Sequence, residues 1–191
     1  MSEATGPTYD VPFRRRRKNL TNYRKRLALL KAGVRLVFRK SLNHTLVQLV
    51  EFSEKGDLVL ACAHSSELRA FGWPPRANTP TAYLTGFLAA KRALAKGIKH
   101  AVLDAGLATP RKGGTAYAAL KGALDAGLTV PAGDGIFDEA RFAGRHIAEY
   151  ARKLKGTPLY AKQFSAYIRE GVEPERLPEL FEQVKNKISS G

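Results

Sequence analysis

Residues Val34–Ala63, VRLVFRKSLNHTLVQLVEFSEKGDLVLACA, contain three closely spaced β-strand patterns, and they decide the fold of this 191-residue chain. The connections between the patterns are short and contain turn-forming residues, Asn43 in the first and Gly56 in the second. Strands joined by such short turns predict an antiparallel meander. The three strand patterns are Val34–Arg39, His44–Phe52 and Leu58–Ala63.

The second half of the chain alternates helix and strand patterns. Thr79, ahead of a proline, is the predicted N-cap of a helix that ends at Gly97. A buried strand at Ala101–Asp104, a helical stripe at Ala116–Leu124 and a short strand at Leu128–Val130 follow. A helix that connects two strands of one sheet in this way places the strands parallel to each other. We therefore expect an α/β fold: a mixed sheet of about five strands with flanking helices, in a ribonuclease H-like arrangement.

Beyond Gly135 the pattern is helical only. Three amphipathic segments follow, the first a single stripe over Ala140–Leu154, the second around Phe164–Ile168 and the third opened by Pro174. We expect them to dock on the core or on a neighbouring molecule. The predicted organisation is a basic N-terminal arm with a short helix (1–33), an α/β core (34–135) and a helical C-terminal extension (136–191).

Positive charge is concentrated in one segment. Lys and Arg number 32 against 17 Asp and Glu, a net charge of +15. Twelve of the 32 lie in Phe13–Lys40, and no acid occurs between Asp10 and Glu51, so the rest of the chain is nearly balanced. Local, unpaired charge of this kind predicts a polyanionic partner, of which nucleic acid is the usual one. Within this segment, Asn19–Lys31 predicts a helix with Thr21 as its N-cap, behind a flexible lead at Met1–Pro12.

Several other classes of protein are disfavoured. No apolar run reaches the roughly 20 residues that span a bilayer, and the start of the chain has no secretory-signal pattern. Cys62 is the single cysteine, in an apolar strand pattern, so we expect a buried, inert thiol and a reducing compartment. The four histidines have no zinc-type spacing.

The ribonuclease H-like arrangement raises the alternative of a metal-dependent nuclease. Two-metal hydrolysis needs several carboxylates close together. The first strand carries Arg35 and Arg39 where an acid is required, and Asp104 is alone at the end of the fourth strand. We therefore expect Asp104 to be structural, capping the turn that follows.

Two loops have competing interpretations. Arg111–Thr115, RKGGT, precedes a helix and could grip an RNA phosphate, or it is a flexible loop before the helix cap, since it lacks the ending of a nucleotide P-loop. Trp73 beside Pro74–Pro75 is a stacking platform or, as we prefer, an anchor that pins its loop to the core.

Six sequence blocks resemble the family of large-subunit ribosomal protein eighteen in its archaeal form, which has eukaryotic relatives. The blocks are RRRRKNLTNYRKRL (Arg14–Leu27), VRLVFRKSLNHTLVQLVEF (Val34–Phe52), GDLVLACAHSSEL (Gly56–Leu68), NTPTAYLTGFLAAKRAL (Asn78–Leu94), ALKGALDAGLTVP (Ala119–Pro131) and HIAEYA (His146–Ala151). The resemblance implies a structural constituent of the large subunit, in cytoplasmic ribosomes, that binds 5S rRNA and attaches it to large-subunit rRNA in the central protuberance. It implies a neighbouring 5S-binding ribosomal protein as a partner and a monomer within the ribosome. It implies no membrane, cofactor, metal or catalytic activity.

The resemblance also implies which residues contact RNA. The arm, the first strand and the Arg111 loop would line one face, although relatives vary in charge at that loop. The implied residues are Arg14, Arg15, Arg16, Arg17, Lys18, Tyr23, Arg24, Lys25, Arg26, Arg35, Arg39, Lys40, Arg111 and Lys112. A protein that uses the same arm on DNA or on a membrane surface is a further alternative.

Overall fold

Four strands form one mixed sheet in the order β3-β2-β1-β4 in the computed structural model, which describes residues 6–133 and 135–190. The first three strands pair antiparallel, and β4 lies parallel to β1. This topology confirms the predicted α/β fold, the antiparallel meander and the parallel return of the fourth strand. The strands are β1 (Val34–Lys40), β2 (Thr45–Glu51), β3 (Leu58–His64) and β4 (Val102–Asp104).

The predicted fifth strand at Leu128–Val130 is reduced to one parallel bridge between His100 and Thr129. Thr129 donates to Lys99 O and accepts from Ala101 N, at 2.9 and 3.0 Å. Gly127, at φ +103°, ends the preceding helix, and Pro131 cannot donate to a ladder, so only these few residues can pair.

The basic arm contains two short helices, α1 (Arg14–Arg17) and α2 (Tyr23–Leu30). The predicted helix is present, but Asn22, not Thr21, is its N-cap: the Asn22 side chain accepts from Lys25 N. The Thr21 hydroxyl instead accepts a hydrogen bond from Arg15 Nε at 2.8 Å. Met1–Thr5, the first part of the predicted flexible lead, lies outside the described residues.

Helices α3 (Thr79–Ala95) and α4 (Thr115–Asp125) cover one face of the sheet. The N-cap of α3 is Asn78, one residue before the predicted Thr79, because its side-chain oxygen reaches Thr81 N at 3.1 Å. The two helices approach closely at Gly86 and Gly122. A Cβ at either glycine would overlap a backbone carbonyl of the other helix, so the crossing depends on both.

The C-terminal segment docks on the outer side of α3. Its first predicted stripe is two helices, because Gly144 adopts φ +83° and turns the chain between them. Phe181 of the last helix packs on Tyr83 and Trp73, with ring centroids 5.1 and 6.3 Å apart. These side chains belong to the same hydrophobic cluster as the sheet. The helices are α5 (Glu139–Phe142), α6 (Arg145–Leu154), α7 (Pro158–Gln163), α8 (Ser165–Arg169) and α9 (Leu177–Ser190).

Trp73 anchors its loop to the core, as preferred from the sequence. Its side chain is 1% exposed, and its indole Nε1 donates to Thr81 Oγ1 at 2.9 Å. The stacking-platform interpretation is wrong, because a buried indole presents no face to a partner.

Candidate nucleic-acid interface

A groove of about 780 Å³ lies on the face of the sheet opposite α3 and α4. Because side chains alternate along a strand, Leu36 and Phe38 of β1 point into the core, and Arg35, Val37 and Arg39 belong to the groove face. Helix α2 and the loop after β4 form the walls of the groove. The fold thus brings the arm, β1 and the Arg111 loop together around one cleft.

Half of the sequence-predicted RNA contacts line this groove. The cations that it gathers are Arg15, Lys25, Arg26, Arg35, Arg39, Lys40 and Arg111. The others lie outside its lining and are exposed to solvent: Arg14, Arg16, Arg17, Lys18, Tyr23, Arg24 and Lys112. The predicted residues therefore form two neighbouring surfaces, the groove and the part of the arm beyond it.

Arg35 is held inside the protein. Its side chain is 3% exposed, Nη1 donates to Asp104 Oδ2 at 3.0 Å, and Nη2 lies 2.9 Å from Asp57 Oδ2. The sequence interpretation grouped Arg35 with Arg39 as an RNA contact, and the structure places the two differently: Arg39 is exposed at the end of β1. The buried guanidinium of Arg35 is engaged by two carboxylates, so its position suits the floor of the groove and not a phosphate contact.

Asp57 is a residue of the groove that sequence analysis missed. It ends the β2–β3 turn and pairs with both Arg35 and Arg26, the latter at 2.7 Å. The register contains the information needed to find it: Arg35 lies opposite Val50, and Val50 lies opposite Val59, two residues after Asp57. Using this register would have required knowing where the turns between the strands lie.

Asp104 caps the turn after β4, as predicted. Its Oδ1 accepts from Gly106 N at 2.9 Å, and its other oxygen accepts from Arg35. Among residues 6–133 and 135–190, no three His, Cys, Asp or Glu side chains form a group that could hold a metal ion. Each oxygen of the Asp104 carboxylate thus accepts a hydrogen bond from the protein.

Two contacts fasten α2 across the groove. Lys25 Nζ donates to Gly106 O at 2.9 Å, and Arg26 pairs with Asp57. In the described part of the chain, no carboxylate pairs with the cations at the groove rim or on the rest of the arm. Those cations are Arg14–Lys18, Arg24, Arg39, Lys40, Arg111 and Lys112. Their charge is therefore available to an external anion.

The Arg111 loop is an ordered turn at the start of α4. Gly114 donates to Arg111 O at 2.9 Å, Gly113 donates to Ile136 O at 3.2 Å, and Gly113 adopts φ +63°. The helix N-cap, Gly114, supplies no side-chain acceptor, and Gly114–Ala116 line the groove beside Arg111. This turn places Arg111 and the N-terminus of α4, the positive end of its dipole, beside the groove.

Cys62 lies half-buried in β3, opposite Gln48 of β2, and is not itself part of the groove lining. Burial, joined by the Glu67 carboxylate, raises the pKa of its thiol. A raised pKa disfavours the nucleophilic thiolate, in agreement with the expected inert thiol, but the side chain is half-buried and not buried as the sequence predicted.

The part of the chain that the structure describes contains no helix with the length and apolar character needed to cross a bilayer. The model of the family described as ribosomal large subunit proteins 60S L5 and 50S L18 matches residues 7–101. The match covers α1, α2, the three-stranded meander and α3, and so includes the arm and most of the groove face. It agrees with the resemblance drawn from the sequence blocks. The chain belongs to the family of ribosomal large-subunit proteins 60S L5 and 50S L18.

Proposed function

We propose that this protein, a constituent of the large ribosomal subunit, binds 5S rRNA and attaches it to large-subunit rRNA in the central protuberance. One observation carries the proposal: among the described residues, only two acids, Asp57 and Asp104, line the groove, and Arg26 and Arg35 pair with them. The remaining cations of the groove and the arm are exposed to solvent. A neighbouring 5S-binding ribosomal protein is part of the same proposal, as is a location in cytoplasmic ribosomes.

Most contacts in this proposal go to phosphate and ribose, because the deep, narrow major groove of A-form RNA hides its base edges. Arginine suits this task, since its planar fork bonds phosphate oxygens in pairs. The proposed contacts are Arg14, Arg15, Arg16, Arg17, Lys18, Tyr23, Arg24, Lys25, Arg26, Arg39, Lys40, Arg111 and Lys112. Arg35 is left out of this set because it is buried and paired.

Binding of labelled 5S rRNA, measured by fluorescence anisotropy over a range of salt concentrations, tests the proposal. The affinity should exceed that for an unrelated structured RNA of the same length. It should also fall with salt, with a log–log slope of about 0.7–0.9 per neutralised phosphate. Equal affinity for both RNAs would overturn the assignment to 5S rRNA, and a slope near zero would overturn the electrostatic mechanism.

Neutralising the arm gives a sharper test. Replacing Arg14–Lys18 by alanine should weaken 5S rRNA binding and lower the salt slope by about 0.7–0.9 for each phosphate that the variant no longer neutralises. The matched control replaces five exposed cations of the C-terminal helices, Arg145, Arg152, Lys153, Lys162 and Arg169. Both variants lose the same charge, so an equal loss of affinity would show that net charge acts and that the arm has no special role.

The proposed role is structural and requires neither catalysis nor a cofactor. 5S rRNA incubated with the protein and Mg²⁺ or Mn²⁺ should therefore stay intact on a denaturing gel. Cleavage that Asp104→Asn abolishes would instead support the nuclease alternative.

A further inference from the structure

Phe13 and Tyr23 form an aromatic pair that joins the start of α1 to the start of α2. Phe13 directly precedes α1, Tyr23 begins α2, and their ring centroids lie 5.6 Å apart at 56°. The turn between the helices is held by Leu20 N donating to Arg15 O, and by Asn19 in a left-handed conformation at φ +52°. The two rings are thus brought together by an ordered hairpin of the arm.

The pair is open to solvent. Phe13 is 75% exposed and Tyr23 38%, and neither ring lines the groove. Single exposed apolar side chains are common on proteins, but two aromatic rings in contact present a larger apolar platform. The fold of the described residues leaves most of the Phe13 ring uncovered.

The basic residues beside the aromatic pair indicate which kind of partner it binds. Phe13 is followed at once by Arg14–Lys18, and Tyr23 is followed by Arg24, none of which pairs with a carboxylate in the described ranges. An apolar protein partner would have to desolvate these cations, whereas a polyanion neutralises them. A nucleobase has an apolar face that stacks on aromatic rings and is attached to phosphates that bind arginine.

We propose that the Phe13–Tyr23 pair is a stacking site for an unpaired RNA base, with Arg14–Lys18 holding the flanking phosphates. The inference rests on the proposed rRNA-binding function and adds a second kind of contact to it. Because paired bases are stacked inside a duplex, the site selects a loop or a bulge in the RNA. It therefore discriminates between RNA structures, which phosphate contacts alone do not.

The test compares Phe13→Ala with wild type on 5S rRNA and on a blunt RNA duplex of similar length. Loss of one stacked base should weaken binding to 5S rRNA by about tenfold and leave duplex binding within about twofold. The salt slope should stay unchanged, because no charge is removed. Phe13→Trp should restore the affinity. The matched control is Leu27→Ala, since Leu27 is an exposed apolar residue of the same arm, at 68% exposure, and its loss should change affinity less than twofold.

Phe13 is exposed, so the thermal unfolding of the Phe13→Ala protein should match wild type, which separates a binding effect from a folding effect. Wild-type affinity of Phe13→Ala for 5S rRNA, or an equal loss on 5S rRNA and duplex, would overturn the stacking site and leave the proposed function standing. If wild type shows no preference for 5S rRNA, the proposed function itself fails. Anionic vesicle binding that depends on Phe13, with RNA binding that does not, would assign the platform to a membrane surface and also overturn the inference.

Discussion

At the scale of single residues, Arg35 and Arg39 show how burial separates two cations on one face of one strand. Arg35 lies within reach of Asp57 and Asp104, whereas Arg39 is four residues further along β1 and reaches solvent. Identical side chains therefore have different roles. Arg35 stabilises the protein, and Arg39 belongs to the proposed RNA contacts.

Replacing Arg35 by methionine should lower the free energy of unfolding by about 2–4 kcal/mol, because it leaves the buried Asp104 carboxylate without its cation. Arg39→Met is the matched control, since it removes the same group from an exposed position and should cost less than about 0.5 kcal/mol. Chemical denaturation measures both values. In 5S rRNA affinity, measured on folded protein, Arg39→Met should lose more than Arg35→Met. Equal stability of the two variants would contradict this account of Arg35.

His146 gives stability a dependence on pH. Burial and nearby Arg141 lower its pKa, while Asp138 and Glu149 act in the opposite direction. The unfolded chain binds a proton near pH 6.5, and the folded protein binds it only at lower pH. Stability is therefore complete above about pH 6.5 and decreases as the pH falls below that value.

Thermal unfolding of wild type and His146→Gln between pH 7.5 and 5 checks this prediction. The decrease in melting temperature below about pH 6.5 should be smaller in the variant. His44, whose pKa burial and His64 also lower, contributes in the same direction, so a residual slope should remain and should shrink in the double variant with His44→Gln. A wild-type profile that is flat over this range would contradict the prediction.

At the scale of elements, the crossing of α3 and α4 depends on glycines that helix propensity disfavours. Alanine is better than glycine in a helix by about 1 kcal/mol. At Gly122, however, a Cβ would overlap the Tyr83 carbonyl of α3, and at Gly86 it would overlap that of Ala119. The steric conflict involves backbone on both sides and cannot be relieved by a side-chain rotation.

Gly122→Ala should therefore destabilise the protein by about 1–3 kcal/mol despite the gain in helix propensity. Gly133→Ala is the control, because nothing lies within 4 Å of a Cβ built there, and it should change stability by less than about 0.5 kcal/mol. Urea denaturation compares the two. A stabilised Gly122→Ala protein would show that the helices can separate at little cost.

At the scale of the whole molecule, the arm and the C-terminal helices are attached in different ways. The arm is held to the sheet by polar contacts such as Arg26 with Asp57 and Lys25 with Gly106. The C-terminal helices contribute buried apolar side chains, among them Phe142, Leu177 and Phe181, to the hydrophobic cluster of the core. We therefore propose that residues 1–18 of the arm (1–33) are dispensable for folding and that the segment 136–191, although it follows the α/β core (34–135) in sequence, is required.

Two truncations test this difference. Removing residues 1–18 should leave a single cooperative unfolding transition with a melting temperature close to that of wild type. Removing residues 136–191 exposes Tyr83 and Trp73, which Phe181 covers, and should give a protein that unfolds without cooperativity or aggregates. Calorimetry of the two proteins decides the matter, and a well-folded, cooperative fragment 1–135 would contradict the proposal.

Much of the architecture could be predicted because its causes are local. Strand patterns in β1–β3 and the short turns between them predict the meander, and helix stripes between strands predict the parallel return. The predicted N-caps were each wrong by one residue: the cap of α3 is Asn78 and not Thr79, and the cap of α2 is Asn22 and not Thr21. Asn and Thr are both favoured at N-caps, so neighbouring candidates are hard to separate. The Leu128–Val130 pattern is too short for its pairing to be decided locally.

The candidate site was predicted in part. The distribution of charge along the sequence located the cations of the arm, because a segment that contains basic residues and no acids can be recognised without knowing the fold. The sequence could not show that Asp57 and Asp104 converge on Arg35, because they lie 22 and 69 residues away and meet only through strand register.

The sequence by itself determined the order of strands and helices and the presence of a cationic arm, because periodicity, turn residues and charge act within a few residues of one another. Only the tertiary structure decided which cations are exposed to solvent and which glycines allow α3 and α4 to pack closely. It also decided that the last helix packs on the hydrophobic core. Burial and close contact join residues far apart in the chain, and these depend on the packed arrangement of the whole.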